Sequence, residues 1–363
     1  MKVIHVNLQK DWRGGEQQLA YLLQSLRQKK VEQILICREN SSLEEFAKKE
    51  NIEYKSINNK LFNKLGNLIM LYNLIKSRGI DIIHCHESKG HSLALFTKIF
   101  FNYNSKIILH RRVIFPIKGF LSKKIKYSSK FINEIICVSK AVEKSVKNST
   151  GYKNTIVIPD MIDTNFIYEN KKFLNANYRI SDKILIGYIA ALTFEKDHFT
   201  FLNTAKLLLK KNHNLHFVII GDGDNRQKLT QYALDLQISE NVTFTGFIEN
   251  AKKIIPEIDI LLFTSTEEGL GSTILDFFLA KKPVVCVKNG GSEDIVFNHK
   301  TGFICEKGDS DALANNVDFI LKNPIITKEI VENAYNFVNE KFSIEVVTNQ
   351  TLNCYSRNIP VEK

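Results

Sequence analysis

The sequence predicts an α/β protein built from two Rossmann-like domains in tandem. Short apolar runs alternate with longer amphipathic segments along most of the chain, which is typical of parallel sheets covered by helices. One polar stretch, residues 161–182, interrupts this alternation and divides it into two series. A chain of 363 residues with 44% apolar side chains is long enough to bury two cores of ordinary size.

The apolar runs are short and are rich in Val, Ile and Phe, so we interpret them as buried strands. Amphipathic segments such as residues 15–28 separate them and predict the crossover helices that parallel strands require. The predicted strands are 3–8, 32–38, 81–86, 106–112, 134–139 and 155–160 in the first series, and 184–190, 216–223, 242–247, 259–265, 283–287 and 301–306 in the second.

The domain boundaries follow from the polar stretch. We predict a first domain over 1–165, a linker over 166–182 and a second domain over 183–342. A C-terminal helix is predicted over 343–363, and we expect it to cross back toward the first domain.

The N-terminal residues lack the charged, apolar and small-residue regions of a signal peptide, and no stretch approaches ~18 uninterrupted apolar residues. We therefore expect a cytoplasmic protein. The cysteines show no CxxC or other metal spacing, and five of the six lie in the predicted strands, which predicts reduced core residues. They are Cys37, Cys85, Cys137, Cys286, Cys305 and Cys354.

Basic charge is concentrated in the first half of the chain. Residues 1–165 carry 28 Lys and Arg against 14 Asp and Glu, and the remainder carries 22 against 25. Nucleic acid is not the expected partner, because no aromatic-basic RNA motif, helix-turn-helix or zinc-finger spacing accompanies the charge. An anionic membrane surface or an acidic substrate fits the pattern better.

The stretch TSTEEGLGSTILD (264–276) carries the clearest sign of a ligand site. It joins a predicted strand to a predicted helix, and in a parallel sheet such a turn lies at the edge where ligands bind. Two interpretations stay open from the residues alone. Glu268 and Asp276 can hold sugar hydroxyls while N–H groups of the glycine turn hold a phosphate, or Thr273 and Asp276 can form a helix capping box that needs no ligand.

Two other strand ends offer groups for a phosphate. Lys196 follows the first strand of the second series and can neutralise a diphosphate as a point charge, although a solvated loop lysine explains it equally. Gly14 and Gly15 follow the first strand of the chain, so backbone N–H groups can approach a phosphate or a sugar there.

The turn GDGDN (221–225) resembles the Asp-x-Asp metal site of one class of sugar transferases. Asp222 and Asp224 would be the oxygen ligands. An ordinary strand, glycine turn and helix N-cap accounts for the same residues, and we favour that interpretation.

Histidines and basic residues cluster after two strands of the first series. Because the ends of parallel strands meet at one edge of the sheet, they predict a polar, proton-handling rim, although any one of the histidines can be structural. A zinc site is conceivable, but no acidic or thiol ligand pattern supports it, and we predict no bound metal. The residues are His84, His86, Lys89 and His91 in the first cluster and His110, Arg111 and Arg112 in the second.

The segment FPIKGFLSKKIKYSSKF (115–131) interleaves large apolar residues with five lysines. A basic amphipathic segment of this kind can lie on an anionic inner-membrane surface. A surface helix with solvated lysines is the equally weighted alternative.

Taken together, these motifs resemble glycosyltransferase family 4 over nearly the whole chain. Glu268 and Asp276 stand at the ends of its E-x7-E motif, and GYIAALTFEKD (187–197), VIIGDGDNRQKL (218–229) and VIPDMID (157–163) are similar to three others. The segments WRGGEQQ, HCHESK, HRRVIFP and CVSKAV resemble one branch of the family, which is associated with lipopolysaccharide and other cell-envelope polysaccharides.

The resemblance implies the GT-B fold, in which two Rossmann-like domains face each other across a cleft. It also implies a retaining enzyme that uses a nucleotide-diphosphate sugar and no metal or other cofactor, with a saccharide or lipid-linked acceptor at the basic first domain. The implied catalytic residues are Glu268, His110 and Lys196. The implied donor-binding residues are Gly15, Lys196, Gly269, Leu270, Gly271, Ser272, Thr273 and Asp276, and those on the acceptor side are His84, His86, Lys89, Arg111 and Arg112.

Three departures from the family pattern bear on donor binding. Asp276 replaces a glutamate, Ala191 stands where an arginine would help Lys196 bind the diphosphate, and Asp160-Met161 replaces the Asn-Gly of the hinge. A degenerate GT-B binding module without turnover is therefore an alternative. A glycoside hydrolase that uses Glu268 and Asp276 is another. A dinucleotide oxidoreductase is disfavoured, because neither domain has a full G-x-G-x-x-G.

Overall fold

The computed structural model describes residues 1–58, 64–117, 119, 125–168, 173–178, 180, 182–211 and 214–359. The chain divides into two compact units. The first comprises Met1–Met161 and Ile344–Lys363, and the second comprises Ile162–Ser343. Each unit contains one parallel sheet with helices, so the predicted α/β class with two Rossmann-like domains is confirmed.

The first unit is built on a seven-stranded sheet. Its strands are β1 (Lys2–Asn7), β2 (Glu32–Arg38), β3 (Tyr54–Ile57), β4 (Ile82–Cys85), β5 (Lys106–Arg111), β6 (Glu134–Cys137) and β7 (Thr155–Val157), in the order β3-β2-β1-β4-β5-β6-β7. Its helices within the first part of the chain are α1 (Gly14–Gln28), α2 (Ser42–Lys49), α3 (Lys64–Arg78), α4 (Ser88–Phe101) and α5 (Lys140–Thr150).

The second unit is built on a six-stranded sheet. Its strands are β8 (Ile184–Ile189), β9 (Leu215–Ile220), β10 (Val242–Gly246), β11 (Ile260–Phe263), β12 (Val284–Val287) and β13 (Phe303–Cys305), in the order β10-β9-β8-β11-β12-β13. Its helices are α6 (Phe173–Tyr178), α7 (His198–Leu209), α8 (Arg226–Asp235), α9 (Ser272–Leu279), α10 (Ser310–Lys322) and α11 (Pro324–Phe342). Helix α6 lies in the stretch predicted as a linker.

The last helix, α12 (Ile344–Asn358), belongs to the first unit. Its Tyr355 is fully buried in a core that includes Val3 and Ile108. Near its end, Arg357 donates a 3.0 Å hydrogen bond to the buried carboxylate of Glu134 on β6. The helix is therefore part of the hydrophobic core of the first unit.

The order of the strands reverses at one point in each sheet. In the first sheet the chain steps outward from β1 on one side and from β4 on the other, and in the second it does so from β8 and β11. The carboxyl ends of these neighbouring strands form topological switch points, where open parallel sheets bind ligands. The loops after β1, β4, β8 and β11 are therefore the first places to look for a site.

Two further expectations can be compared with the structure. All six cysteines are buried and free, as predicted for reduced core residues. Among the described residues, no helix is long and apolar enough to cross a membrane. One strand, β3, was not predicted.

Candidate active site

The loops after β8 and β11 bring together two predicted catalytic residues. Lys196 ends a short 3-10 helix, Phe194–Lys196, and Glu268 lies in the glycine turn before α9. The Lys196 Nζ atom is 2.6 Å from Glu268 Oε1, and the side chains are only 21% and 17% exposed. Sequence separation alone does not predict this contact, which follows from the adjacency of β8 and β11.

Hydrogen bonds to the backbone hold the two loops against each other. The carbonyl of Glu195 accepts from Thr266 N at 2.8 Å and from Ser265 Oγ at 3.2 Å. The buried Tyr188 hydroxyl donates to the Lys196 carbonyl at 3.0 Å. Because these contacts fix the backbone on both sides, the Lys196 and Glu268 side chains start from preorganised positions.

Helix α9 begins without a side-chain cap. Its N-cap is Gly271, whose φ of 89° favours glycine, and within the described part of the chain no side chain accepts from its first N–H groups. The capping-box interpretation of Thr273 and Asp276 is therefore wrong. The free N–H groups and the positive end of the helix dipole at Ser272 and Thr273 are available to an anion.

A second glycine loop, after β12, supports this turn and was missed in the sequence. Glu268 N donates to the Asn289 carbonyl at 3.2 Å, and a Cβ atom on Gly291 would lie 2.5 Å from the Cα of Leu270. Only glycine allows so close an approach. The sequence signal was the Gly290-Gly291 pair after a strand, the same signal that was used for Gly14 and Gly15.

Asp276 lies one turn into α9 and pairs with a residue that the sequence did not indicate. The Lys252 Nζ atom is 2.7 Å from Asp276 Oδ1, and Lys252 also lies over the ring of Phe166, 4.5 Å from its centroid. Burial raises the pKa of Asp276, and the Lys252 ammonium group opposes that rise. Tyr168 donates a 3.0 Å hydrogen bond to the Asp276 carbonyl.

The two predicted acids thus each pair with a lysine rather than with each other. Nothing in this arrangement favours the glycoside hydrolase, which needs an unpaired acid and nucleophile facing one sugar.

Ala191, where the resemblance implies an arginine, is exposed. In the GDG turn, Asp222 accepts from Gly223 N at 2.8 Å and pairs with Arg226 at 3.6 Å, which agrees with an ordinary turn.

The histidines of the first unit form a buried cluster, so the expectation of a rim is wrong. His84 and His86 lie at the end of β4, His110 lies in β5, and all three are buried. His5 of β1, which sequence reasoning missed, joins them. Burial is the main cause that lowers the pKa of each of these imidazoles, and the pKa of His5 falls to about 3.

The other predicted residues of the first unit lie around this cluster or apart from it. Arg112 donates to Asp160 at 3.1 Å and lies 3.3 Å from His110 Nδ1. Arg111 donates to the Phe115 carbonyl at 2.5 Å. Lys89 is exposed in the first turn of α4. His91 is separate, since its ring packs edge-on against Tyr127.

Gly15 is the second residue of α1, and apart from its chain neighbours and the backbone of that helix, no described atom lies within 4 Å of the place where its Cβ would be. The same holds for Gly14. These positions leave open space beside the end of β1, which a ligand can use.

Two family models match almost all of this architecture. The model for Glycosyltransferase Family 4 matches residues 12–166, and the model for glycosyl transferases group 1 matches residues 170–337. The chain belongs to glycosyltransferase family 4. The second match covers both strands of the switch point between β8 and β11, and the first begins at residue 12, after β1.

Similar proteins include curated enzymes and solved structures. Poly(ribitol-phosphate) alpha-N-acetylglucosaminyltransferase of Staphylococcus aureus (strain COL) is 24% identical over 312 residues, which is 84% of this chain but only 61% of that relative. N-acetyl-alpha-D-glucosaminyl L-malate synthase of Bacillus anthracis is 26% identical over 285 residues, 75% of this chain and 73% of its own. The crystal structure of Anabaena Alr3699/HepE in complex with UDP has a TM-score of 0.86 at 18% identity and covers 98% of this chain and 100% of that one. This likeness confirms the GT-B fold.

Proposed function

We propose that this glycosyltransferase moves a sugar from a nucleotide-diphosphate sugar to a saccharide or lipid-linked acceptor, with retention of configuration. In this proposal Glu268 holds hydroxyls of the donor sugar. N–H groups of residues 269–273 hold the diphosphate, and Asp276 holds the ribose. Gly15 provides an open approach to the donor, and the groups around His110 serve the acceptor.

The contact between Lys196 and Glu268 beside the uncapped start of α9 carries the proposal. An ammonium group has three donors, and Glu268 uses one of those of Lys196, so two remain for phosphate oxygens. Glu268 keeps its second oxygen for a sugar hydroxyl. The two adjoining loops can therefore bind the sugar and the phosphate of a single donor.

The same groups account for the reaction without a metal ion at the diphosphate. As the bond to the sugar breaks, negative charge grows on the departing phosphate. Lys196 and the N-terminus of α9 supply fixed positive charge there, and preorganised donors of this kind are often the largest contribution to catalysis. The departing phosphate then takes the proton of the acceptor hydroxyl, and the new bond forms on the same face of the sugar.

The relatives support a role in cell-envelope glycan synthesis. One of them is named for transfer to poly(ribitol-phosphate), and the structure of HepE contains UDP. We extend this to a lipopolysaccharide, O-antigen or capsule acceptor, because the basic first half of the chain suits an acidic or phosphate-bearing saccharide.

A ligand screen tests the proposal. The purified chain is heated with uridine, guanosine, adenosine and thymidine diphosphates and with their sugars, since a ligand that binds the folded state raises the unfolding temperature. We expect one nucleotide to stabilise the chain, and NMR of the product made from its sugar to show the anomeric configuration of the donor. No stabilisation by any nucleotide, or an inverted product, would contradict the proposal.

A binding module without turnover is the second candidate, and the exposed Ala191 favours it, because the diphosphate then lacks an arginine. The same screen distinguishes the two. Donor binding with no transfer to lipopolysaccharide, teichoic acid or lipid-linked saccharide fractions would support the binding module.

We also propose that segment 115–131 docks on the cytoplasmic face of the inner membrane. Of this segment the structure describes 115–117, 119 and 125–131, and Lys123 and Lys124 lie outside the described residues. In the described part, Phe115 and Ile125 are 53% and 41% exposed. Each lysine near an anionic surface contributes about 1 kcal/mol, so several lysines together give reversible binding.

Vesicle cosedimentation tests this docking. We expect binding to anionic but not to neutral vesicles, and its loss in high salt. Changing Lys123, Lys124 and Lys126 to glutamate should abolish binding and leave nucleotide binding intact. Equal binding to neutral vesicles, or no effect of the triple change, would show that these lysines are only a solvated face.

A further inference from the structure

Three histidines from two neighbouring strands lie on one face of the first sheet. His5 of β1 pairs in register with His84 of β4, so the two side chains lie side by side. His86 is two residues beyond His84, and the alternation of an extended chain returns it to the same face. The histidines therefore converge at the switch point between β1 and β4.

The three imidazoles are close enough to share one small ligand. One ring nitrogen from each lies within 4.8 Å of those of the other two. His5 Nδ1 is 3.1 Å from His86 Nε2, and the centroids of the His84 and His86 rings are 4.0 Å apart. All three side chains are buried, with exposures of 0%, 0% and 6%.

Each ring also has a nitrogen that lacks a partner. His5 Nε2, His84 Nε2 and His86 Nδ1 are buried and make no hydrogen bond within the described structure. A buried polar atom without a partner destabilises the folded state by about 1–3 kcal/mol, so each of these three nitrogens calls for a partner.

A tyrosine already orients one of the rings. The Tyr355 hydroxyl lies 2.6 Å from His84 Nδ1, which leaves Nε2 of that ring directed elsewhere. Metal-binding histidines commonly have such an outer partner on their second nitrogen, because it fixes the ring and its tautomer.

We propose that His5, His84 and His86 form a binding site for a divalent transition-metal ion, with Zn²⁺ as the representative ion. Neutral imidazole suits this class of ion, whereas Mg²⁺ and Ca²⁺ prefer oxygen ligands. Zinc–nitrogen bonds of about 2.0–2.1 Å place tetrahedral ligands about 3.4 Å apart, so small ring rotations complete the site. Three protein ligands leave the fourth position for water or a hydroxyl group.

The charges around the cluster permit this ion. Arg112 lies 3.3 Å from His110 beside the cluster, but Asp160 pairs with it at 3.1 Å, which reduces its repulsion of a metal. The neighbouring His110 and Tyr355 have neutral side chains, because burial lowers the pKa of the first and raises that of the second. The site lies in the first unit, whereas Lys196 and the N-terminus of α9, to which we assign the donor diphosphate, lie in the second.

A metal titration tests the proposal independently of any transfer activity. The full chain is freed of metal and titrated with Zn²⁺ in competition with a chromophoric chelator, and separately with Co²⁺, whose visible absorption reports tetrahedral coordination. We expect one Zn²⁺ per chain, a tetrahedral Co²⁺ spectrum and no competition from Mg²⁺.

Three variants identify the ligands. His5→Gln and His86→Gln should each weaken Zn²⁺ binding by at least about 100-fold, since even an outer-shell partner contributes 10–100-fold. His91→Gln is the matched control, because His91 is equally buried in the same unit and has an unpartnered Nε2. It should bind Zn²⁺ like the wild type.

Zn²⁺ affinity that persists in both ligand variants, or an octahedral Co²⁺ spectrum, would overturn the assignment. Failure of the wild type to bind Zn²⁺ would do the same and would indicate buried water in the cluster. If the ligand variants do not fold, the spectrum of Co²⁺ bound to the wild type decides alone. None of these results depends on the donor site, so loss of this proposal leaves the transferase proposal standing.

Discussion

Removing the Lys252 ammonium group should destabilise the second unit, because the Asp276 carboxylate then stays partly buried without a counter-charge. In Lys252→Met the aliphatic chain is largely retained, but the 2.7 Å partner of Asp276 is lost. Burial raises the pKa of Asp276 and Lys252 opposes that rise. The variant therefore leaves a half-buried carboxylate without its counter-charge.

The exposure of the pair sets the size of the effect. Breaking a fully buried ion pair costs about 3–5 kcal/mol, whereas exposed pairs contribute about 0–1 kcal/mol. The two side chains are 17% and 24% exposed, so this pair lies nearer the buried limit. After a discount for solvent screening, we expect a loss of about 2 kcal/mol near pH 7.

The pH dependence has a definite sign. In the variant, burial holds the folded pKa of Asp276 above its value in the unfolded chain, so folding disfavours the carboxylate. The penalty is present at neutral pH and disappears as the pH falls through that raised pKa, because the protonated acid is neutral in both states. The variant and the wild type should therefore converge in stability as the solution is acidified.

Amide hydrogen exchange of peptides from α9 measures this local stability. Lys322→Met is the matched control, since Lys322 forms a 2.6 Å pair with Asp318 but is 70% exposed, and it should cost less than about 0.5 kcal/mol. The double variant Lys252→Met with Asp276→Asn should recover much of the loss. Equal exchange in Lys252→Met and Lys322→Met, or a penalty that grows as the pH falls, would refute the reasoning.

Three further predictions follow from the same structure. Glu268→Gln should lower turnover at saturating donor by roughly two to three orders of magnitude, with unchanged turnover removing Glu268 from the mechanism. Ala191→Arg should tighten nucleoside-diphosphate binding in a calorimetric titration, because residue 191 is exposed and a guanidinium there adds charge for the diphosphate, and weaker binding at intact stability would oppose it. His91 and His198 have pKa values lowered to about 4, so the unfolded chain binds protons that the folded chain excludes. Calorimetric unfolding should show a loss of about 2 kcal/mol per histidine between pH 7 and pH 5, and a stability that is constant over this range would contradict it.

The sequence predicts the fold well where burial decides the pattern. The strands that meet at the switch points are buried on both faces and are mostly apolar, so they appear in the sequence as short apolar runs. The exception is β3 (Tyr54–Ile57), whose two central residues are exposed. It is an edge strand, and a half-exposed strand of four residues has no apolar run by which it can be recognised.

The site is predicted only in part, because its partners come from distant segments. Glu268, the glycine turn and Lys196 each follow a predicted strand, so local rules find them. Lys252 and His5 have no local signal. Lys252 is one of two adjacent lysines in a short 3-10 helix, and His5 joins the cluster only through the register of β1 on β4.

The charges of the donor loops explain why donor binding and turnover should respond differently to one substitution. Lys196 is already paired with Glu268, and Lys252 with Asp276, so each pair is close to neutral before a ligand arrives. An incoming diphosphate therefore meets little net positive side-chain charge. Its binding depends on the N-terminus of α9, or on a Lys196 ammonium group that leaves Glu268 to contact the phosphate. In Glu268→Gln the lysine loses its competing anion, so a nucleoside diphosphate should bind more tightly even as transfer slows. If Glu268 has a purely structural role, the substitution should instead weaken nucleoside-diphosphate binding and slow transfer. The direction of the change in affinity separates the two explanations.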